Sequence, residues 1–435
     1  MQDTDRLQPT AGKNRITALD ILRGISLLGI LLMNIPGFGL YKAYDDITNS
    51  GGSTGWNLNV WWINSMFFEG TMRGIFSMLF GAGILIFMGR TQEGQSAVSI
   101  SDLFFRRLLW LLVFGVLHCY VLLWDGEILY AYAIVGMFAY SFRMLPVRSL
   151  IAAATLVLLV ATAFSVSEWY QLKNIQASSL TAHEKKERGE KLTSEDEKSI
   201  EAWDEKVKEM KATPEQLQEE IDARSKDYFS ILVHKIPENQ YMQTTFLYRI
   251  NFWDILAMML LGMALYKSGV IIAERSTRFY VYMILAGYSI GLTVNYLELQ
   301  NIMENQFSLM SLHEGWISYN LGRVPLTIGH IGLIMLFIQS GFLPWLKRSL
   351  AAVGQMAFTN YLMQSVICNT IFLGFGFGLY GKLQRYELYY IVAGVWIFQL
   401  LISPVWMRHF HFGPMEWVWR SLTYWKKQPF KKIRT

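Results

Sequence analysis

Charge is what this sequence has least of. Only 17% of its 435 residues are Asp, Glu, Lys or Arg, against about 25% in an ordinary soluble domain. Much of that charge is gathered in one place. Residues 173–227 hold 26 charges, 11 basic and 15 acidic, while the other 380 residues hold 28 basic and 19 acidic, a net +9. A soluble globule spreads charge over its surface, so that class is excluded. A disordered chain is excluded by the 52% hydrophobic content, and a nucleic-acid binder by the lack of a basic face. Cysteine is nearly missing: Cys119 and Cys368 both lie in apolar runs, which excludes a disulfide scaffold. There is no Walker loop, GxSxG elbow, dinucleotide fingerprint, HExxH or CxxC. A nucleotide-driven pump and a metal site therefore have no motif to stand on. A cleaved leader is not expected either, because residues 1–15 are polar and the apolar run from Ile16 is too long for one.

What is present is a series of apolar runs, each near the roughly 20 residues that cross a bilayer. Ten candidates fall at 17–39, 57–89, 105–124, 127–145, 149–171, 250–268, 277–296, 323–341, 350–375 and 388–406. The expected fold is all-α, a polytopic membrane helix bundle of about ten transmembrane helices. The second candidate is too long for one straight span, and its FFEGTMRG interior predicts a break. Arg6, Lys13, Arg15, Arg90, Arg106, Arg107, Arg143, Arg148, Lys267, Arg275, Arg278, Lys347, Arg348, Arg408 and the basic tail fall on one side if the N-terminus is cytoplasmic, against only Lys42, Lys382, Arg385, Arg249 and Arg323 on the other. The positive-inside rule then gives N-in and C-in. The organisation expected is helices 1–5 over residues 1–172, a charged extracytoplasmic helical insertion over 173–248, helices 6–10 over 249–408, and an interfacial, basic cytoplasmic tail over 409–435. The insertion is rich in Glu and Lys three and four apart, which suits a solvated helical hairpin broken near Pro214.

Ionisable side chains inside a membrane cost at least about 2.5–3.5 kcal/mol on insertion scales, so each is a functional candidate. In ALDILRGISLLGILLMN, Asp20 and Arg23 share a helix face three residues apart, either as a local ion pair or with Arg23 turned to an anionic group. Asn34 lies on that face about three turns on. In TMRGIFSMLFGAG, Arg73 has only Glu69 nearby as a partner in sequence. In GVLHCYVLLWDGEILYAYAIVG, His118 precedes an acidic turn with Asp125 and Glu127. That histidine suits either a satisfied core position or a general base. His330 matches its depth and is its rival. In GQMAFTNYLMQSVICN, Asn360 and Gln364 share a face, for interhelical hydrogen bonding or for lining a polar cavity. Glu416 and Arg420, four apart in a tryptophan-rich tail, suit an interfacial helix.

Taken together, RITALDILRGISLLGILLMNI, FSMLFGAG, GVLH with WDGEIL, TNYLMQS and FGPMEWVWR resemble the YeiB-like family of bacterial inner-membrane proteins. The resemblance runs in order along nearly the whole chain, apart from the charged insertion. That family is grouped with the transmembrane acyltransferases, among them the lysosomal heparan glucosaminide N-acetyltransferase. The resemblance implies multi-pass residence in a bacterial inner membrane. It also implies transfer of an acyl group from cytoplasmic acyl-CoA, such as acetyl-CoA, to an acceptor at the outer face. In bacterial O-acyltransferases of that grouping a histidine occupies the slot that Asn34 fills here, whereas the glucosaminide enzyme, like this chain, has Asn. The expected catalytic set is then His118 as base or transient acyl carrier, with Glu127 or Asp125 orienting it. Asp20, Arg23, Asn34, Arg73, Asn360 and Gln364 are the expected binding residues. No metal is expected. The expected partners are the bilayer and a small-molecule or glycan acceptor, with a homodimer as one arrangement and no nucleic acid. The alternative is a transporter or permease for a small anionic solute, using the same Arg23, Arg73 and His118.

Overall fold

The computed structural model describes residues 16–45, 47–49, 52–89 and 97–432. Within them the protein is all-helical and no strand is formed. The helices are α1 (Thr17–Gly39), α2 (Gly55–Phe67), α3 (Thr71–Met88), α4 (Ala97–Tyr120), α5 (Leu129–Ala139), α6 (Val147–Glu187), α7 (Ser194–Met210) and α8 (Pro214–Arg224). They continue with α9 (Tyr228–Tyr241), α10 (Phe252–Lys267), α11 (Thr277–Glu304), α12 (Leu309–Gln339), α13 (Pro344–Gln355), α14 (Ala357–Phe372), α15 (Leu388–His409) and α16 (Pro414–Tyr424). A π-helical stretch, Met242–Asn251, joins α9 to α10. Six segments among the described residues are long and apolar enough to cross a membrane.

The predicted break in the second apolar run is real. The chain leaves α2 at Phe67 and re-enters a helix at Thr71 through Gly70, whose φ of +67° is open to glycine at little cost. The apolar run at 350–375, expected as one helix, is two. It breaks at Met356 between α13 and α14. The fifth run also departs from expectation. α6 does not stop near residue 171 but continues to Glu187. The Glu, Lys and Ala that follow are good helix formers, so the helix propagates beyond its apolar stretch. Its far part packs on α7 through Leu172, Met210 and Trp203. Thr193 and Thr213 each form a capping box, and Pro214 occupies the first turn of α8, where its missing N–H costs nothing.

Two helices at the centre approach with almost no side chain between them. A Cβ on Gly81 of α3 would strike the backbone of Met259 on α10, and one on Gly262 would strike that of Met78. Such small-residue crossings hold membrane helices together by close packing. The bundle has two distinguishable ends. The base holds the start of α1, α16, and Arg106, Arg107, Lys267 and Lys347. The rim holds the end of α4, the 121–128 loop, and α8 and α9. Of the basic residues read from the sequence, Arg6, Lys13, Arg15, Arg90 and Arg434 lie outside the described residues.

Candidate functional site

His118 sits in the last turn of α4, just below the rim loop. That loop ends at Glu127, whose carboxylate accepts the backbone N–H groups of Leu129 and of Tyr130, the latter at 2.8 Å. An acid at this position suits the positive end of α5. Held there, Glu127 places Oε1 3.6 Å from His118 Nδ1, within ion-pair reach though longer than a hydrogen bond. On the far side of the ring, His118 Nε2 lies 2.7 Å from the Ser365 hydroxyl on α14. The edge of Tyr361, one turn before Ser365, packs against the imidazole at 4.9 Å between centroids. His118 and Ser365 are each 1% exposed. Nδ1 makes no hydrogen bond among the described residues, and the carboxylate 3.6 Å away favours, by charge alone, the tautomer with the proton on Nδ1. Nε2 then presents its lone pair to Ser365.

His330, the rival by depth, is wired differently. Its Nε2 lies 2.7 Å from the carbonyl oxygen of Phe67, and its Nδ1 lies 2.8 Å from the Tyr288 hydroxyl. A carbonyl only accepts, so Nε2 donates to it and Nδ1 accepts from Tyr288. Phe67 closes α2, and the break leaves its carbonyl without a full helical partner. His330 meets that break with Nε2 and is braced on α11 through Nδ1.

A second polar centre lies inside the bundle. Arg73 Nη2 is 3.0 Å from Asp254 Oδ2, and its Nη1 donates to Asn251 Oδ1 at 2.9 Å. Arg323 Nη2 binds Asp254 Oδ1 and donates to Asn320 Oδ1 at 2.9 Å. Arg323 is 1% exposed, and its Nε and Nη1 have no hydrogen-bond partner among the described residues. A Cβ at Gly70 would collide with Arg323 and the Tyr319 hydroxyl, so the glycine makes room for both. Sequence reading gave Arg73 only Glu69 as a neighbour. Its counter-ion, Asp254, is 181 residues away in the chain, and no local signal joins them. Ser77 links this centre to α5 through Tyr132, at 2.6 Å.

The remaining sequence candidates separate. Asp20 and Arg23 pair at 3.2 Å near the base, with Gln355 Nε2 at 3.4 Å from Asp20. Gly29 of α1 faces Met72, so Arg23 lies six residues below the level of Arg73, about 9 Å along the axis. Beside Asn34, the Tyr44 hydroxyl donates to the Met33 carbonyl at 2.7 Å, with the Asn34 carbonyl at 3.5 Å. One turn further, Phe38 stacks on Trp124 of the rim loop at 3.6 Å. Asn360 donates to Val353 O and Ser403 Oγ, and Gln364 donates to Gln399, so both stitch α14 to its neighbours. Asn360 Oδ1 and Gln364 Oε1 stay buried and unpartnered among the described residues. Asp125 does not face His118. It pairs with Lys235 of α9 at 3.3 Å, and Lys235 also donates to Leu123 O. Burial opposes the charge on Asp125, but Lys235 and Arg224 outweigh it and hold its carboxyl below the usual range.

Two features escape sequence reading. Ser365 carries no signal of its own within TNYLMQS. Glu416 does not serve its own helix but caps another, accepting from Phe358 N at 2.7 Å and from the Thr359 hydroxyl at 2.5 Å at the start of α14.

Residues 265–426 match the family model described as a protein of unknown function, DUF418. The chain is 30% identical over 421 residues to "Uncharacterized protein YeiB" of Escherichia coli K12, covering 94% of this chain and 96% of the other. It is 29% identical over 446 residues to "Uncharacterized protein YxaH" of Bacillus subtilis 168, covering 98% of each. A third relative, from Bacillus acidopullulyticus, is 24% identical over 431 residues, 97% of this chain and 98% of the other. No solved structure matches.

Proposed function

The chain belongs to the YeiB-like family, and from that premise we propose that it is an integral membrane acyltransferase. The reaction moves an acyl group from cytoplasmic acyl-CoA, with acetyl-CoA as the simplest donor, to a small-molecule or glycan acceptor at the outer face. One observation carries this reading: an imidazole held between a carboxylate and a hydroxyl in a dry site. That is the arrangement general-base acyl transfer requires. Glu127 rather than Asp125 is the orienting acid. Arg23 at the base is placed for the donor's phosphates. Arg73 and Arg323 are placed to hold or polarise an anionic group deeper in the bundle. Asn360 and Gln364 contribute acceptor oxygens beside the path.

The proposed topology is ten passes, with both termini cytoplasmic, in a bacterial inner membrane. Helix ends alternating between base and rim support it, counting α2–α3, α9–α10 and α13–α14 as one pass each. The arginines and lysines gathered at the base support the orientation. In this topology α7 and α8 are extracytoplasmic, and α9 enters the membrane from that side.

The test is turnover of labelled acetyl-CoA by the purified protein in detergent. Arg23→Ala is expected to weaken donor binding, and His118→Ala to abolish turnover. Full turnover in His118→Ala would sink the proposal. The second reading, a permease for a small anion, rests on the helix breaks at Phe68–Gly70 and Met356, since transporters bind at such interruptions. Acyl-CoA turnover by the wild type decides against it.

A further inference from the structure

Ser365 behaves unlike several other buried hydroxyls of this bundle. Ser77, Thr327 and Thr423 each give their proton to the carbonyl four residues back in their own helix, the usual habit of such residues inside helices. Ser365 makes no such bond among the described residues. Its hydroxyl crosses from α14 to α4 and meets His118 Nε2 at 2.7 Å. His118 Nδ1 makes no hydrogen bond among the described residues, so the Glu127 carboxylate 3.6 Å away sets the tautomer by charge. With Nδ1 turned to the Glu127 carboxylate, Nε2 is the acceptor and Ser365 is the donor. A serine giving its proton to a histidine that is backed by an acid is an activated nucleophile.

We infer that Ser365 is the covalent acyl carrier of the transferase, so that the reaction proceeds through an O-acylserine rather than by direct transfer. The inference rests on the acyltransferase reading above. In the first half-reaction Ser365 Oγ attacks the thioester carbonyl carbon, and its proton passes to His118 Nε2. The carbon–sulfur bond breaks, and His118 returns the proton to the sulfur, which leaves as the free thiol. In the second, an acceptor hydroxyl or amine attacks the serine ester and gives its proton to His118. The ester bond to Ser365 breaks, and Oγ takes that proton back. Glu127 is a positioning residue, which faces the imidazolium formed in each half-reaction. A carrier resolves a geometric difficulty of the overall reaction. Donor and acceptor arrive from opposite ends of the bundle, and a serine ester lets them react in turn at one buried point.

The experiment is to incubate the full-length protein with labelled acetyl-CoA in the absence of acceptor, quench in acid, and map the label by peptide mass spectrometry. The expected result is one acetyl group on Ser365, absent in Ser365→Ala. Label formation is expected to slow on the order of a hundredfold or more in His118→Gln. Ser365→Cys guards against a folding failure: it is expected to trap a thioester that neutral hydroxylamine releases. Suppose instead that the wild type consumes acetyl-CoA, His118→Ala does not, and no label appears on Ser365 or on the introduced thiol of Ser365→Cys. Transfer is then direct, and the carrier inference fails while the acyltransferase reading stands. If the wild type neither consumes acetyl-CoA nor acquires label, both fail.

Discussion

Two buried histidines occupy this bundle at matching depth, and they show how little depth or burial says about role. His330 spends both nitrogens on neutral partners, a backbone carbonyl and a phenol. It braces a helix break, its Nδ1 lone pair faces the Tyr288 hydroxyl, and no carboxylate backs the ring among the described residues. His118 stands between a carboxylate and a hydroxyl. The carboxylate backs the ring at Nδ1 and the hydroxyl faces it at Nε2. Burial is similar, but only one of the two can accept a proton and be stabilised after doing so. The lesson is to read a membrane histidine by what each nitrogen meets.

The comparison can be broken most sharply at Glu127. Glu127→Gln keeps an acceptor for one of the two α5 amides, turns its NH2 to the other and removes the charge. A fall in transfer of about a hundredfold or more is expected, which is about 2.7 kcal/mol at 1.36 kcal/mol per tenfold. It is read from kcat/KM per folded molecule, beside a stability cost of about 1–3 kcal/mol for the amide left unpaired. The counterpart is His330→Ala, which among the described residues leaves the Phe67 carbonyl only the Thr71 hydroxyl at 3.3 Å. It is expected to cost about 1–3 kcal/mol of stability, measured by thermal unfolding in detergent, while each folded molecule keeps its turnover. Tyr288→Phe removes one donor only and is expected to cost about 1 kcal/mol, again without effect on turnover.

A smaller effect concerns the rim loop that carries Glu127. Against burial, the Asp125 carboxyl is held low by Lys235, Arg224 and a hydrogen bond from Glu238, whose own carboxyl is pushed up to about 7 by burial and Asp125, so that it is already protonated in the window considered. Glu220 is likewise held low, against burial, by Arg224 and His234. A depressed carboxyl stabilises the fold above its unfolded pKa and loses that contribution as pH falls through its folded one. Acidification through and below the ordinary carboxylate range is therefore expected to loosen α8 and α9 from the 121–128 loop. Hydrogen exchange in those segments reads it directly.

Much of the fold is legible in the sequence because hydropathy and helix stops are local signals. The apolar runs become helices, FFEGTMRG marks the break at Gly70, and Pro214 opens α8. What local signals miss is where a helix goes once its apolar run ends. Hence α6 runs through residue 172 as one helix, and Met356 divides a run with no proline or glycine at the break itself. The site is legible only as a set of separate candidates. His118 and Glu127 are nine residues apart and pair in sequence, with Asp125 as an equal choice. Geometry separates the two acids by giving Asp125 to Lys235. Ser365 is 247 residues from His118, and Asp254 is 181 from Arg73. No spacing rule reaches that far, and only the packing of α4 on α14 and of α3 on α10 joins them.

The most direct test sets His118→Gln beside His330→Gln, measuring acetyl-CoA turnover per folded molecule and thermal stability in the same detergent. Glutamine at 330 keeps an N–H for the Phe67 carbonyl, whereas glutamine at 118 keeps bulk and loses the base. If His118 is the base, His118→Gln loses turnover by about a hundredfold or more with its melting temperature preserved, and His330→Gln keeps turnover. Turnover lost at 330 and kept at 118 would contradict that assignment.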